Sequence, residues 1–190
     1  MRLPYDIIVF DLECNQPSQK IIEIGAVRLS RDFQIETTFS AAVNPGEPVA
    51  PEIVTLCNLD AADLERIQNA HTLDIVNQCF YTWATEKTKN VILASWGNFD
   101  ISELHAQDPS CQFRRKSLDI KSIAAWEMAR WGIRATNSLS ASCGAFSISV
   151  VEPKHRALND ALTTAQLLQE MWAKNLRFKQ ALDFAAKALS

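Results

Sequence analysis

No apolar run in this chain approaches the ~20 residues a bilayer-spanning helix needs. The opening Met1–Asp6 stretch, MRLPYD, also lacks the hydrophobic region of a secretory signal. Cysteine is sparse and scattered: Cys14, Cys57, Cys79, Cys111 and Cys143 are odd in number and form no CxxC. That pattern excludes a disulfide framework and a thiolate zinc site, and points to a reduced, cytoplasmic protein. Positive charge is in deficit, with 19 Lys and Arg against 22 Asp and Glu and a net charge of −3. A strongly basic binding surface is therefore not expected. Internal repeats, low-complexity segments and linkers are absent. At 190 residues with 47% hydrophobic content, one domain spanning 1–190 is expected.

The chain is organised around Asp11-Leu12-Glu13, which follows the apolar run Ile7-Ile8-Val9-Phe10. Four successive β-prone residues without alternation describe a strand buried on both faces. Side chains two apart in a strand share a face, so Asp11 and Glu13 point the same way. Two acids at the end of a buried strand repel each other and are costly to desolvate unpaired. Either they face solvent, or a cation sits between them, a divalent metal being the natural choice.

Ile21–Leu29 and Phe33–Val43 are β-branched-rich and separated by Ser30-Arg31-Asp32, which predicts a three-stranded antiparallel meander. A proline-rich loop over 44–48 follows. Helices are expected over Glu52–Cys57, over Ala61–Ile67 with Asp60 as cap, and from Thr72 onward. Asn90–Ser95 reads as another buried strand, then a helix over Asp100–Gln107 and a short strand near Ser117-Leu118. Helices over Ile120–Arg130, Asn137–Phe146, Ala157–Lys174 and Leu176–Leu189 complete the chain. A meander followed by alternating strands and helices describes one α/β domain on a mixed sheet.

Two further acids stand out. Asp100 precedes Glu103 by three, which locally reads as a capping box. Yet it follows a strand directly, where α/β sheets place their sites. On the last long helix, an advance of ~100° per residue places Leu167, Met171, Thr164, Ala157, Leu168, Ala161 and Trp172 within ~120° of Asp160. Thr163, Gln166 and Glu170 fall on the other side. Asp160 thus lies inside the apolar edge and points at the protein, where acids pair or bind metal. His155 would lie ~140° away if helical. To work with Asp160 it must precede the helix, on a loop that can move, and Pro153 makes such an entry natural.

Together FDLEC (10–14), NFDISEL (98–104) and HRALNDA (155–161) resemble the DEDDh family of 3′–5′ exonucleases over nearly the whole chain. Within that family, ASWGNFD (94–100) is similar to the second motif of the ERI-like exoribonucleases, which trim RNA 3′ ends. The run IEIGAV (22–27) is similar to the family's second strand. One departure follows the first-motif Glu: many members carry a small residue and then Thr, where this chain has Cys14 and Asn15. The resemblance implies that Cys14 and Asn15 stand where terminal-nucleotide contacts are made, while the metal ligands are spared.

The resemblance implies an RNase H-like exonuclease fold, a five-stranded mixed sheet flanked by helices. It also implies two Mg²⁺ or Mn²⁺ ions held by Asp11, Glu13, Asp100 and Asp160, an all-oxygen set suited to such ions. His155 would accept a proton from the attacking water. Imidazoles titrate near neutral pH, where general-base catalysis is efficient. The acidic net charge does not oppose a nuclease, since metal ligands lower a count that bound metal restores.

For substrate, Leu56, Trp96 and Phe99 are candidates for stacking on or wedging bases, although hydrophobes more often belong to a core. Arg156 with Lys154, Arg130 with Arg134, and Arg114-Arg115-Lys116 could track phosphates. The expected partner is a single-stranded 3′ end, RNA favoured over DNA, with no membrane. A protein partner could supply the selectivity that a lone catalytic domain lacks. A DNA-directed proofreading or repair exonuclease and a silent exonuclease-fold binding module are the alternatives. All five motif positions are filled, which disfavours the silent module.

Overall fold

The computed structural model describes residues 3–174, and the expected helix over Leu176–Leu189 lies outside them. The strands are β1 (Asp6–Cys14), β2 (Ile21–Leu29), β3 (Ile35–Ala42), β4 (Val91–Ser95) and β5 (Leu118–Asp119). The helices are α1 (Pro51–Leu56), α2 (Ala61–Gln68), α3 (Leu73–Thr85), α4 (Phe99–Gln107), α5 (Ile120–Arg130), α6 (Leu139–Ala145) and α7 (Ala157–Lys174). The sheet order is β3-β2-β1-β4-β5. The meander pairs antiparallel, whereas β1–β4 and β4–β5 are parallel. This is the expected five-stranded mixed sheet.

β1 lies at the centre because it can be buried twice over. Its odd-numbered Ile7 and Val9 pack with Ala161, Ala165 and Leu168 of α7 and with Ala124 and Met128 of α5. Its even-numbered Ile8, Phe10 and Leu12 pack with Val76 and Phe80 of α3 and Ile101 and Leu104 of α4. Asp11 and Glu13 continue the odd-numbered row, which places them on the α7 face. Residues opposite each other in an antiparallel pair share a face. Asp11 pairs with Gly25 and Glu13 with Glu23, so all four stand on that same side.

The helical arc of α7 is buried as its periodicity requires, from Ala157 at 1% exposure through Leu167 and Leu168 at 0% to Trp172 at 8%. One residue departs from the expectation. Thr163, placed on the polar side, is fully buried. The preceding segment wraps over it, with the Val151 N–H donating to Thr163 Oγ1 at 3.0 Å while the hydroxyl donates to Asn159 O at 2.8 Å. A third apolar cluster joins Ile22 and Ala42 to Ile53, Cys57, Leu59 and Ile67 under α1 and α2.

Candidate active site

Parallel pairing of β1 with β4 runs only from Asp6↔Val91 to Val9↔Ala94. Beyond it, β1 continues alone on that side and its amides need other partners. The chain leaves β4 in a tight turn: Gly97 adopts φ +96°, its N–H donating to Ser95 O at 3.0 Å. This turn delivers the first turn of α4 beside the end of β1. Asp100, 5% exposed, accepts there from the Leu12 N–H. The capping-box reading of Asp100 is thereby corrected: Asn98 is the N-cap and Asp100 lies inside the helix. Locally the spacing suited a cap, but the tertiary partner is the free backbone of β1.

Asp160 enters from the opposite side. A Cβ added to Gly25 would lie 2.0 Å from Leu158 N and 2.2 Å from Ala157 C. Only a residue without a side chain lets the start of α7 rest on β2, and this brings Asp160 onto the face of Asp11 and Glu13. His155 precedes the helix, as the sequence required. It is exposed, adopts φ +57°, and donates its backbone N–H to Asp160 Oδ2 at 3.1 Å. Asn159 Nδ2 holds the same loop through Pro153 O at 2.8 Å.

These elements converge on one cleft of about 450 Å³. Asp11, Glu13, Asp100, Asp160 and His155 line it together with Trp96, Phe99, Lys154 and the 137–140 segment. The acids oppose one another. Burial first, then the charges of Asp100, Glu13 and Asp160, holds Asp11 well above the usual carboxylate range. Glu13 is pushed up to about 8, by burial and then by Asp160 and Glu23. Burial lifts Asp100 to about 7 against the pull of its two backbone donors. Asp160 is raised by burial, with His155 and Lys154 acting the other way. Such a set calls for added positive charge. Ligand atoms of Glu13, His155 and Asp160 lie within 4.8 Å of one another, and Asp11 and Asp100 add carboxylate oxygens to the same cleft. The donor chemistry and convergence fit a hard divalent cation.

The substrate-contact expectations divide. Phe99 is 51% exposed at the start of α4 and Trp96 is half-buried, its Nε1 donating to Asn137 O at 3.1 Å; both line the cleft. Leu56 is 50% exposed on α1 and Cys14 is half-buried, and neither lines it. Two further candidates have their polar groups engaged within the protein. Asn15 is buried, its amide donating to Glu47 Oε1 (2.7 Å) and Pro48 O while its oxygen accepts from the Ala50 N–H (2.8 Å). It fastens the loop before α1. Arg156 bonds to Glu23 and Asp63 instead of turning to the cleft.

Sequence reasoning passed over two features of this region. The buried Cys57 thiol faces Glu13 Oε2 at 3.7 Å, and burial together with Glu13 pushes it up to about 12, so it stays a donor. Ser138–Ser140 reach the cleft through the turn into α6. Neither carries a local pattern that could have marked it.

The family model described as Exonuclease (RNase T) matches residues 8–168, and the chain belongs to that family. Its fold is the RNase H-like fold of exonucleases, shared with several solved structures. Cell-death related nuclease 4 (CRN-4) superposes with a TM-score of 0.77 at 18% identity, over 90% of this chain and 65% of that one. A 3′-exonuclease solved in 3′-end-specific recognition of a histone mRNA stem-loop gives 0.75 at 18% identity, over 90% and 64%. S. pombe Pop2p in its Mg²⁺- and Mn²⁺-bound form gives 0.64 at 15% identity, over 92% and 85%. This chain spans just under two thirds of the length of the first two. No curated protein sequence matches it. Among the described residues, no helix is long and apolar enough to cross a membrane.

Proposed function

We propose that the chain is a divalent-metal-dependent 3′–5′ exoribonuclease that removes nucleotides one at a time from single-stranded RNA and releases nucleoside 5′-monophosphates. The observation that carries this reading is the convergence of Asp11, Glu13, Asp100, Asp160 and His155 on one open cleft from three separate elements and a loop. Asp11, Glu13, Asp100 and Asp160 are the residues that would hold two Mg²⁺ or Mn²⁺ ions. When bound, such ions supply Lewis-acid stabilisation of the charge that develops at phosphorus.

The chain's own groups do the rest. His155, on the cleft rim, takes the proton of the attacking water as the new P–O bond forms. The bond from phosphorus to the 3′ oxygen of the preceding nucleotide breaks, and that oxygen is protonated from solvent to leave a free 3′-hydroxyl. Lys154 beside it offers a cation to the substrate phosphate. Phe99 and Trp96 present aromatic surface on which a terminal base can stack. RNA is favoured by the similarity of the ASWGNFD stretch to the second motif of RNA-trimming members of the family and by the likeness to an exonuclease that recognises an mRNA 3′ end.

The test is incubation of the purified chain with 5′-labelled single-stranded RNA and Mn²⁺, with and without chelator, beside a matched DNA oligomer. A one-nucleotide ladder on RNA that chelator abolishes is the expected result. Equal or faster shortening of the DNA would reassign the substrate, and no ladder on either would reject the nuclease reading.

A further inference from the structure

Arg156 sits between His155 and the first residue of α7, and its guanidinium is shared by two carboxylates. Nε and Nη2 donate to Glu23 Oε2 and Oε1 at 3.2 and 3.0 Å. Nη1 and Nη2 donate to Asp63 Oδ2 and Oδ1 at 3.1 and 3.0 Å. Four of the five guanidinium N–H donors are thus taken. Both acceptors are anchored. Glu23 is buried on β2, directly across from Glu13. Asp63 is fixed in α2 by a reciprocal capping box with Asp60. Arg66 closes the group by donating to Glu23 Oε1 at 2.7 Å and Asp63 Oδ1 at 3.0 Å. Two arginines and two acids thus form one ion-paired group at the foot of α7.

We propose that Arg156 is the positioning residue of this site: it clamps the His155 loop and the entry of α7 to β2 and α2, and so sets where His155 and Asp160 stand against Asp11 and Glu13. This role rests on reading the cleft as a nuclease site. Among the described residues, the other side-chain hydrogen bonds of the loop stay within it or run to α7: Val151 N–H to Thr163, Lys154 N–H to Glu152, His155 N–H to Asp160 and Asn159 to Pro153 O. The arginine's bonds reach β2 and α2, and a planar fork can pair bidentately with two carboxylates at once, whereas an ammonium offers each only a single contact.

The experiment compares Arg156→Ala, Arg156→Lys and Asp63→Asn with the parent chain. It reads kcat and KM on a single-stranded RNA oligomer, Mn²⁺ affinity by calorimetry without RNA, and thermal melting. Arg156→Ala is expected to lower kcat by about 10- to 100-fold and to weaken Mn²⁺ binding on the same scale, the range for losing a partner just outside the ligands, with KM essentially unchanged. Arg156→Lys restores part of both. Asp63→Asn, which leaves the Glu23 half of the clamp, falls between parent and Arg156→Ala. A rise in KM with kcat retained would make Arg156 a phosphate contact and overturn the proposal, as would a folded Arg156→Ala with unchanged kcat and Mn²⁺ affinity. If Arg156→Ala does not fold, Asp63→Asn decides on the same two readouts. If the parent chain gives no RNA ladder, the nuclease reading fails by itself. The Mn²⁺ titrations then decide alone: weakening in the variants supports the clamp, and unchanged affinity overturns it.

Discussion

Gly25 and Leu158 meet backbone to backbone: a Cβ built on the glycine would stand 2.0 Å from the leucine amide nitrogen. Gly25 is also the cross-strand partner of Asp11. The same position therefore seats α7 on the sheet and decides how near Asp160 comes to the first acid. Gly25→Ala must lift the helix entry, because the clash is with main chain and no side-chain rotation relieves it. A cost of at least ~2 kcal/mol is expected, within the range for overpacking. That lowers Tm by about 2–4 °C per kcal/mol for a chain of this size, with exonuclease turnover falling alongside. Melting and turnover equal to the parent chain would remove Gly25 from the site's construction.

The acid cluster makes stability depend on pH with a definite sign. Glu13 moves from 4.5 to about 8 and Asp100 from 3.8 to about 7 on folding, and Asp11 and Asp160 are also raised. The folded state therefore binds more protons than the unfolded one. This stabilisation is fully present below about pH 4 and is lost as pH rises through 7 to 8. In chelator, the site's contribution should lower Tm from pH 5 to about pH 8. Mn²⁺ or Mg²⁺ should raise Tm most at the alkaline end, where the acids are ionised and compete least with protons. A flat metal-free profile, or a metal effect greatest at pH 5, would contradict the cluster's electrostatics.

Neutralising one acid separates function from stability. Asp11→Asn keeps the shape of the side chain and removes the charge that Asp100, Glu13 and Asp160 oppose. The metal-free variant should melt at or above the parent's Tm at pH 8, although exonuclease activity falls by more than ~10²-fold, the scale already reached by losing a group outside the ligand sphere. A variant that melts well below its parent would show Asp11 supporting the fold rather than the chemistry.

Much of this arrangement could be read from one-dimensional patterns, because periodicity reports burial. Ile21–Leu29 and Ile120–Arg130 have the predicted bounds, and the arc of α7 places Asp160 against the protein. What the patterns did not show has one cause. Asp100 resembled a cap because its local spacing suits one, but its partner is Leu12, nearly ninety residues earlier in the chain. Asn15 and Arg156 looked available because Pro48, Ala50, Glu23 and Asp63 are remote in sequence. Thr163 seemed solvent-facing because nothing in α7 announces the preceding segment that covers it. Hydrophobicity could not sort the aromatic and aliphatic candidates either: Phe99 and Leu56 are half exposed, while Trp96 packs partly into the core.

His155 can be tested for its role apart from its place. Its contact with Asp160 runs through the backbone N–H, which alanine keeps, and its exposed ring holds no core together. His155→Ala should therefore melt close to the parent. If the imidazole takes a proton from the attacking water, turnover falls by ~10²–10⁴-fold, the usual contribution of a general base. Calorimetric Mn²⁺ affinity should stay near that of the parent, because Asp11, Glu13, Asp100 and Asp160 remain. The ring also lies within coordination reach of Glu13 and Asp160, which makes the second measurement decisive. A loss of Mn²⁺ affinity as large as the loss of turnover would make His155 a ligand and not the base. Unchanged turnover would take it out of the chemistry altogether.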